Sequence, residues 1–382
     1  MKFDYFASCP RGLEKILSDE LKVLKALSIS EVDGGVSFSG SLETMYRANL
    51  ESRVATRILF RLEKGVYENE EDLYKSALAI KWTNLFDVSK SIKLSTTGVK
   101  CPLKSIDFMT LRIKDAVCDH FRSIIDRRPD VDIREPDVRI HLYLQENEYQ
   151  LYLDTSGKAL YQRGFRKSSV VAPIRENLAA GILGLSGWVP GDTLLDPMCG
   201  SGTFLIEAAM IAQNQAPGLK RSFGFEHWKN FDSNLFSKLK AEYKSKIKPI
   251  NFAKIYGSDI DLRSIRVAKS NLQEAGLAEA VQLTCKNFTE IDPPINEGKS
   301  VLITNPPYGE RIGEDNELGA NYPIWATTLK QKFAGWRTYF LTNDLRMPKL
   351  MRLAPSKKTP LYNGALDCRL FEIIMVEGSN RK

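Results

Sequence analysis

The sequence predicts an α/β protein whose second half is a doubly wound parallel sheet, preceded by a smaller α+β region built on an antiparallel sheet. Three observations predict this. Beyond about residue 173, short apolar runs alternate with amphipathic ones in the βα manner, the pattern of strands buried on both faces. Before residue 156, the strand-like runs alternate apolar and polar residues, as a sheet covered on one face requires. A glycine-bearing turn, PMCGSG, directly joins the apolar strand TLLD to the apolar helix TFLIEAAMIAQ. Doubly wound folds bind ligands at such a place, on the carboxyl edge of the sheet.

Taken in order, FDYFAS is a strand, Gly12 to Leu27 an amphipathic helix, and SEVDGGVSFSG a strand segment turning at Gly34-Gly35. After Ser41, Leu42, Met45, Tyr46, Leu50 and Val54 recur at helical spacing. Between Arg57 and Asp154 come a strand, the helix EDLYKSALAIKW, the strand SIKLSTTG and the helix SIDFMTLRIKDAVCDHFRSII. The hairpin VRIHLYLQ/YQLYLDTS follows, joined by Glu146, Asn147 and Glu148. TSGKALYQRGFRKSSVVAP then reads as a connector rich in Gly, Ser and basic residues, carrying Arg163, Arg166 and Lys167. The second half runs helix ENLAAGILGLSG, strand TLLDP, helix TFLIEAAMIAQ, strand KIYGSDI, helix LRSIRVAKSNLQEAG, strands VQLTCKNF and SVLITNPP, and strand TYFLTN. ALDCRLFEIIMVE reads as a short pair of strand segments closing an edge. The expected division is 1–56, 57–156, a linker at 157–172, and 173–382.

The 382 residues, 43% hydrophobic and 26% charged, describe a folded globular chain rather than a disordered one. Six cysteines stand singly with no CxxC pair, and His120, His141 and His227 lie far apart, so no metal site and no disulfide framework is expected. MKFDYFASCPRGLEK carries charges and lacks an apolar core, unlike a secretory signal. No uncharged apolar run approaches the roughly 18 residues of a membrane helix, so a cytoplasmic protein is expected. The formal charge of +7 permits an anionic partner such as nucleic acid without demanding one.

Chemistry concentrates in three places. In Thr193 to Ala212, strand, turn and helix place Asp196, Pro197, Met198, Cys199, Gly200, Ser201, Gly202 and Thr203 at the sheet's carboxyl edge. Gly200 and Gly202 permit close backbone approach, and the helix N-terminus suits a carboxylate or phosphate. The third glycine of the dinucleotide fingerprint is absent, which disfavours a nicotinamide enzyme. Asp259, ending IYGSD, stands where an acid binds ribose hydroxyls, but far beyond the roughly 20 residues of the simple motif. The intervening segment, about 215–246, interleaves basic and aromatic residues; it reads first as a solvated helix with aromatic anchors, with RNA contact as the alternative. In VLITNPPYGERIG, a strand delivers Asn305 to the same edge and Pro306 and Pro307 stiffen the backbone. The Asn305 side-chain oxygen and the Pro306 carbonyl can accept hydrogen bonds from one NH2 group, and Tyr308 can stack on a base. Alone, such a segment is equally a proline turn ending a strand.

Together, DPMCGSGT and NPPYGERIG resemble the class I S-adenosylmethionine-dependent N-methyltransferases that modify exocyclic nitrogens, and the upstream half resembles a THUMP RNA-binding domain preceded by a ferredoxin-like part. WTNLF, DVRIHLYL, LYLDTSGKALYQRGFR and APIRENLAAGIL are similar to the bacterial large-subunit ribosomal RNA guanine-N2 methyltransferases, over essentially the whole chain. The resemblance implies S-adenosylmethionine as cofactor, 23S ribosomal RNA as partner, and a Rossmann-like methyltransferase domain. It implies that Asp196 to Thr203 hold the methionine part of the cofactor and Asp259 the ribose hydroxyls. Asn287 replaces the acid that usually contacts the adenine amine, an amide oxygen still being an acceptor. Asn305, Pro306, Pro307 and Tyr308 match the catalytic motif, while Pro173 and Glu176 begin a helix beside the cofactor, Glu176 equally stabilising that helix as a first-turn acid. A second methyltransferase domain, fused at the C-terminus of some relatives, is expected to be missing.

Other residues have plainer readings. Glu207 and Met210 lie on the helix after the glycine turn, Met210 as core; Cys199 is a small packing residue with no His near in sequence, and His141 is structural. Lys104, Arg112, Lys114, Arg127 and Arg128 form either a phosphate-binding surface or an ordinary solvated face. The alternatives in function are a transfer-RNA guanine-N2 or adenine-N6 methyltransferase of the same architecture, and a noncatalytic RNA-binding ribosome-assembly factor.

Overall fold

The computed structural model describes residues 2–165, 174–249, 253–294, 298–307 and 314–377. In the first half, β1 (Phe3–Ser8), α1 (Glu14–Val23), β2 (Leu27–Val32), β3 (Gly35–Gly40), α2 (Leu42–Glu51), β4 (Arg57–Val66), α3 (Glu70–Ala79), β5 (Ile92–Val99), α4 (Ile106–Ile125), β6 (Val138–Gln145) and β7 (Glu148–Asp154) follow one another. Their strands form one seven-stranded sheet in the order β2-β3-β1-β4-β7-β6-β5. The alternation seen in the sequence sets its two faces. Val138, Ile140, Leu142 and Leu144 of β6 are buried, with Arg139, His141 and Tyr143 half-buried between them. The apolar set shares a core with Ile113, Val117 and Phe121 of α4. Every strand pair is antiparallel as expected except β5 with β6, which is parallel because α4 returns the chain to the starting end of the sheet. The first helix is shorter than Gly12 to Leu27: it stops at Val23, Lys25 takes a left-handed turn at φ 59°, and Leu27 already belongs to β2. Helix α2 starts where Ser41 caps it, accepting the Thr44 N–H at 3.2 Å.

The second half runs α5 (Glu176–Ser186), β8 (Thr193–Asp196), α6 (Thr203–Ala212), α7 (Ser233–Ser245), β9 (Ile255–Asp259), α8 (Leu262–Ala275), β10 (Val281–Cys285), β11 (Ser300–Thr304), α9 (Glu314–Lys332), β12 (Arg337–Thr342), α10 (Met347–Met351), β13 (Lys357–Asn363) and β14 (Leu366–Ile374). The sheet order is β10-β9-β8-β11-β12-β14-β13. The first five strands are parallel, and β14 is antiparallel to both neighbours, so the sheet is mixed. Alternate residues feed two cores: Leu194, Val301, Ile303 and Leu341 enter one, and Leu195, Leu302 and Phe340 enter another with Trp325, Leu329 and Met351 of α9 and α10. The terminal segment departs from expectation. It is one strand rather than two, inserted beside β12, and its outer partner KKTPLYN and helix α9 have no counterpart in the sequence reading.

The two halves pack closely. Phe223, Phe225, Trp228, Phe236 and Tyr243, in the segment expected to be mainly solvated, are buried. Tyr46 of α2 meets Phe225 at 4.6 Å and Phe236 at 5.5 Å between ring centroids, and Phe60 of β4 meets Trp228 at 5.7 Å. The aromatic residues therefore brace the N-terminal half while Lys238 and Lys244 of α7 face water and Lys240 lies over the Phe236 ring. The connector is likewise part of the interior as far as residue 165, with Leu160, Arg163 and Phe165 all buried.

Candidate active site

From β8 the chain winds outward through β9 and β10, then returns to β11 and β12 on the other side. The winding direction thus reverses between β8 and β11, which opens a crevice at their carboxyl ends. Strand register sets what lines it. Asp196 pairs with Gly257, Asp259 with Cys285, and Leu195 with Leu302. Asn287, Asp259, Asp196 and Asn305 consequently stand at or just beyond the ends of four neighbouring strands, β10, β9, β8 and β11.

Backbone hydrogen bonds shape the turn after β8. The Cys199 N–H donates to the Ser258 carbonyl at 2.8 Å, and the Gly200 N–H to Asp259 Oδ2 at 2.9 Å. Gly200 and Gly202 have φ of 52° and 81°, and a Cβ on Gly202 would stand 3.2 Å from that of Ala268. Asn271 of α8 donates to the Ser201 carbonyl at 3.2 Å, a support the sequence reading did not identify. Asp259 is held by the Gly200 N–H and by the Asp261 N–H at 2.9 Å, so its oxygens keep acceptor capacity for hydroxyls.

Asp196 is electrostatically perturbed. It is 2% exposed, and burial, followed by the neighbouring Asp259 charge, pushes its pKa up to about 7 against the opposing effects of the Met198 N–H and the Thr304 hydroxyl. Among the described residues no cationic side chain is ion-paired with it. A ligand that brings a positive charge to Asp196 relieves this cost. The N-terminus of α6 favours a negative group in the same ligand, and Asp259 favours hydroxyls. A pyrophosphate would bring an anion against a buried carboxylate, consistent with the missing third glycine.

The other expected residues lie as follows. Asn287 caps the 3-10 turn Phe288–Glu290, and its oxygen accepts from the Thr289 N–H and hydroxyl, both at 3.1 Å. The oxygen that the resemblance offers to an adenine amine thus already accepts two bonds. Asn305 is half-buried, Pro306 buried and Pro307 exposed, directly after β11. Glu176 is buried in the first turn of α5. Tyr308, Pro173, Arg166 and Lys167 lie outside the described residues. Burial and the charges of Asp196 and Asp259 push the Cys199 thiol well up, away from the nucleophilic thiolate. Among the described residues no His, Cys, Asp and Glu grouping suits a metal ion, and no helix is long and apolar enough to cross a membrane. The sequence reading also missed the partnership of Arg163 with Glu207, four residues along α6 from Thr203; a lone carboxylate in the apolar run TFLIEAAMIA was its only signal.

Comparison with known proteins agrees with this architecture. Residues 4–59 match the RlmL ferredoxin-like domain, 67–154 the THUMP domain, and 163–372 the RMKL-like methyltransferase domain. A protein of Shewanella loihica named ribosomal RNA large subunit methyltransferase K/L is 43% identical over 372 residues, 96% of this chain and 52% of the relative. The chain thus spans about half the length of the curated relatives it matches. A crystallised candidate methyltransferase complexed with SAH is 31% identical, with 99% of both chains covered and a TM-score of 0.87. A candidate methylase from Clostridium difficile 630 is 28% identical, with 100% of both chains covered and a TM-score of 0.90. With the glycine turn and the Asn305 strand end both inside the 163–372 match, the chain belongs to the RMKL-like methyltransferase-domain family.

Proposed function

We propose that this chain is an S-adenosylmethionine-dependent methyltransferase acting in the cytoplasm on the exocyclic N2 of a guanine in large-subunit (23S) ribosomal RNA. The observation that carries the reading is the placement of Asp196 and Asn305 on adjacent strand ends at the switch point, one an uncompensated buried carboxylate and the other an amine acceptor. Support comes from the THUMP match, from the ribosomal RNA methyltransferase relatives, and from the SAH complex of a structural relative. When bound, S-adenosylmethionine supplies an electrophilic methyl group on a sulfonium. Asp196 and the α6 N-terminus hold the charged methionine part, and Asp259 the ribose hydroxyls. Asn287 would meet the adenine through its amide.

Asn305 Oδ1 and the Pro306 carbonyl accept hydrogen bonds from the two N2–H groups and orient the nitrogen lone pair, and one of the two protons is released after the methyl group has moved. Pro306 and Pro307 keep these acceptors from swinging with the backbone. Tyr308 stacks on a guanine that is unpaired or flipped out of its helix. Positioning and exclusion of water supply most of the rate, since the leaving system is already good. The reading is tested by incubating the protein with unmodified 23S ribosomal RNA and methyl-labelled cofactor. Labelled RNA is expected from the unaltered chain; Asn305→Ala should bind cofactor in calorimetry yet transfer no label, and undiminished transfer by that variant would overturn the assigned role.

A further inference from the structure

The N-terminal sheet packs one face against helices such as α4, while most residues on its other face beside β6 are exposed or half-buried. On the open face, strand register lays out three rows: Lys93 beside Arg139; then Ser95, His141, Tyr152 and Arg61; then Thr97, Tyr143, Gln150 and Lys64. Cations and rings dominate it, although Arg61 is ion-paired to Asp4 and Tyr152 is buried among its neighbours. Lys64 is exposed, while Lys93, Arg139, His141 and Tyr143 are half-buried and so still reach the surface.

The charges are not balanced in the first row. Arg57 donates to the buried Asp154 carboxylate and, at 2.6 Å, to the Gly157 carbonyl, so the nearest acid is already engaged. Arg139 lies beside Arg57, and its buried Nε makes no hydrogen bond among the described residues. The other acid facing it, Asp132, accepts the N–H groups of Arg134 and Glu135 at 2.8 and 3.1 Å. Lys93 donates to the Ile133 carbonyl at 2.9 Å and is in no ion pair among the described residues. Adjacent guanidiniums repel unless an anion lies between them, and a planar N–H fork matches phosphate oxygens. In the next row His141 bonds Ser95 at 2.9 Å, and burial with the Arg57 charge holds its pKa down to about 4, so a neutral ring sits beside this cationic pair. A neutral imidazole and a tyrosine next to a phosphate seat suit unstacked bases.

We propose that Arg139, beside Arg57, seats a backbone phosphate of the RNA substrate, and that an unpaired stretch of that RNA crosses the open face over His141 and Tyr143. This rests on the ribosomal RNA reading above. It is tested by measuring binding of an unmodified 23S ribosomal RNA fragment over a salt series, for the unaltered chain, Arg139→Gln and Arg139→Lys, with methyl transfer to the same fragment assayed in parallel. Arg139→Gln should weaken binding about tenfold and lower the slope of log affinity against log salt by about one, with cofactor affinity unchanged. Arg139→Lys should keep the slope, because it keeps the charge. Equal affinity and slope in Arg139→Gln, or a slope lost equally in Arg139→Lys, would overturn the seat. Transfer by the unaltered chain alongside either result leaves the enzymatic reading standing, whereas neither binding nor transfer by the unaltered chain would overturn both.

Discussion

Arg163 Nε donates to Glu207 Oε1 at 3.2 Å with both side chains sealed from water, 1% and 0% exposed. The same guanidinium donates to the Leu160 and Arg53 carbonyls, each at 2.6 Å. One side chain thus joins the α2–β4 loop, the connector and the helix that begins at the glycine turn. Removing one member of a buried pair strands the other's charge, which typically costs about 3–5 kcal/mol, whereas replacing both with apolar groups is often nearly neutral. Arg163→Met should therefore lower the urea midpoint sharply, and Arg163→Met with Glu207→Leu should regain most of it. A double variant as unstable as the single one would show that the carbonyl contacts, not the ion pair, dominate.

The Asp196 carboxyl protonates at about pH 7 when folded, against the ordinary 3.8. Between those values the folded chain binds more protons than the unfolded one, so stability from this group is full below about pH 4 and declines as pH rises through 7. Denaturation at pH 5 and pH 8 should show a larger loss for the unaltered chain than for Asp196→Asn. Cofactor affinity should rise over the same interval as the carboxylate forms. Parallel losses in the two proteins would contradict the assignment.

Gly202→Ala combines a left-handed φ of 81° with a Cβ pressed to 3.2 Å from that of Ala268, whereas Gly34→Ala has φ 80° and open space around it. The strain common to both is worth roughly 1–2 kcal/mol. Thermal melts should show that loss in each, but only Gly202→Ala should also lose cofactor binding in calorimetry. Equal cofactor affinity in the two variants would remove the turn from the site.

The parts of the fold that the sequence discloses are those with a strong local period or a glycine turn: the β6–β7 hairpin, and β8 with α6. Orientation is less legible. Alternation in SIKLSTTG is the same whether its neighbour runs parallel or antiparallel, so the parallel pairing of β5 with β6 leaves no local mark. Helix α9 contains Gly319 and Pro323 and shows no clean apolar stripe. Strand β13 hides behind two lysines and Pro360, residues tolerated because it is an edge strand. In the site, Asp196, Asp259 and Asn305 are legible as strand-end polar residues. Arg163 is not, because an arginine among glycines and serines reads as solvated until Glu207 is found opposite it.

The central claim is the atom that receives the methyl group. Unmodified 23S ribosomal RNA, treated with the protein and S-adenosylmethionine and digested to nucleosides, should yield N2-methylguanosine by mass spectrometry, at one position and at near-stoichiometric level. Asn305→Ala should reduce it by at least about 100-fold, the scale of one lost positioning group. N6-methyladenosine in place of N2-methylguanosine, or no methylated nucleoside from a chain that binds both cofactor and RNA, would contradict the account.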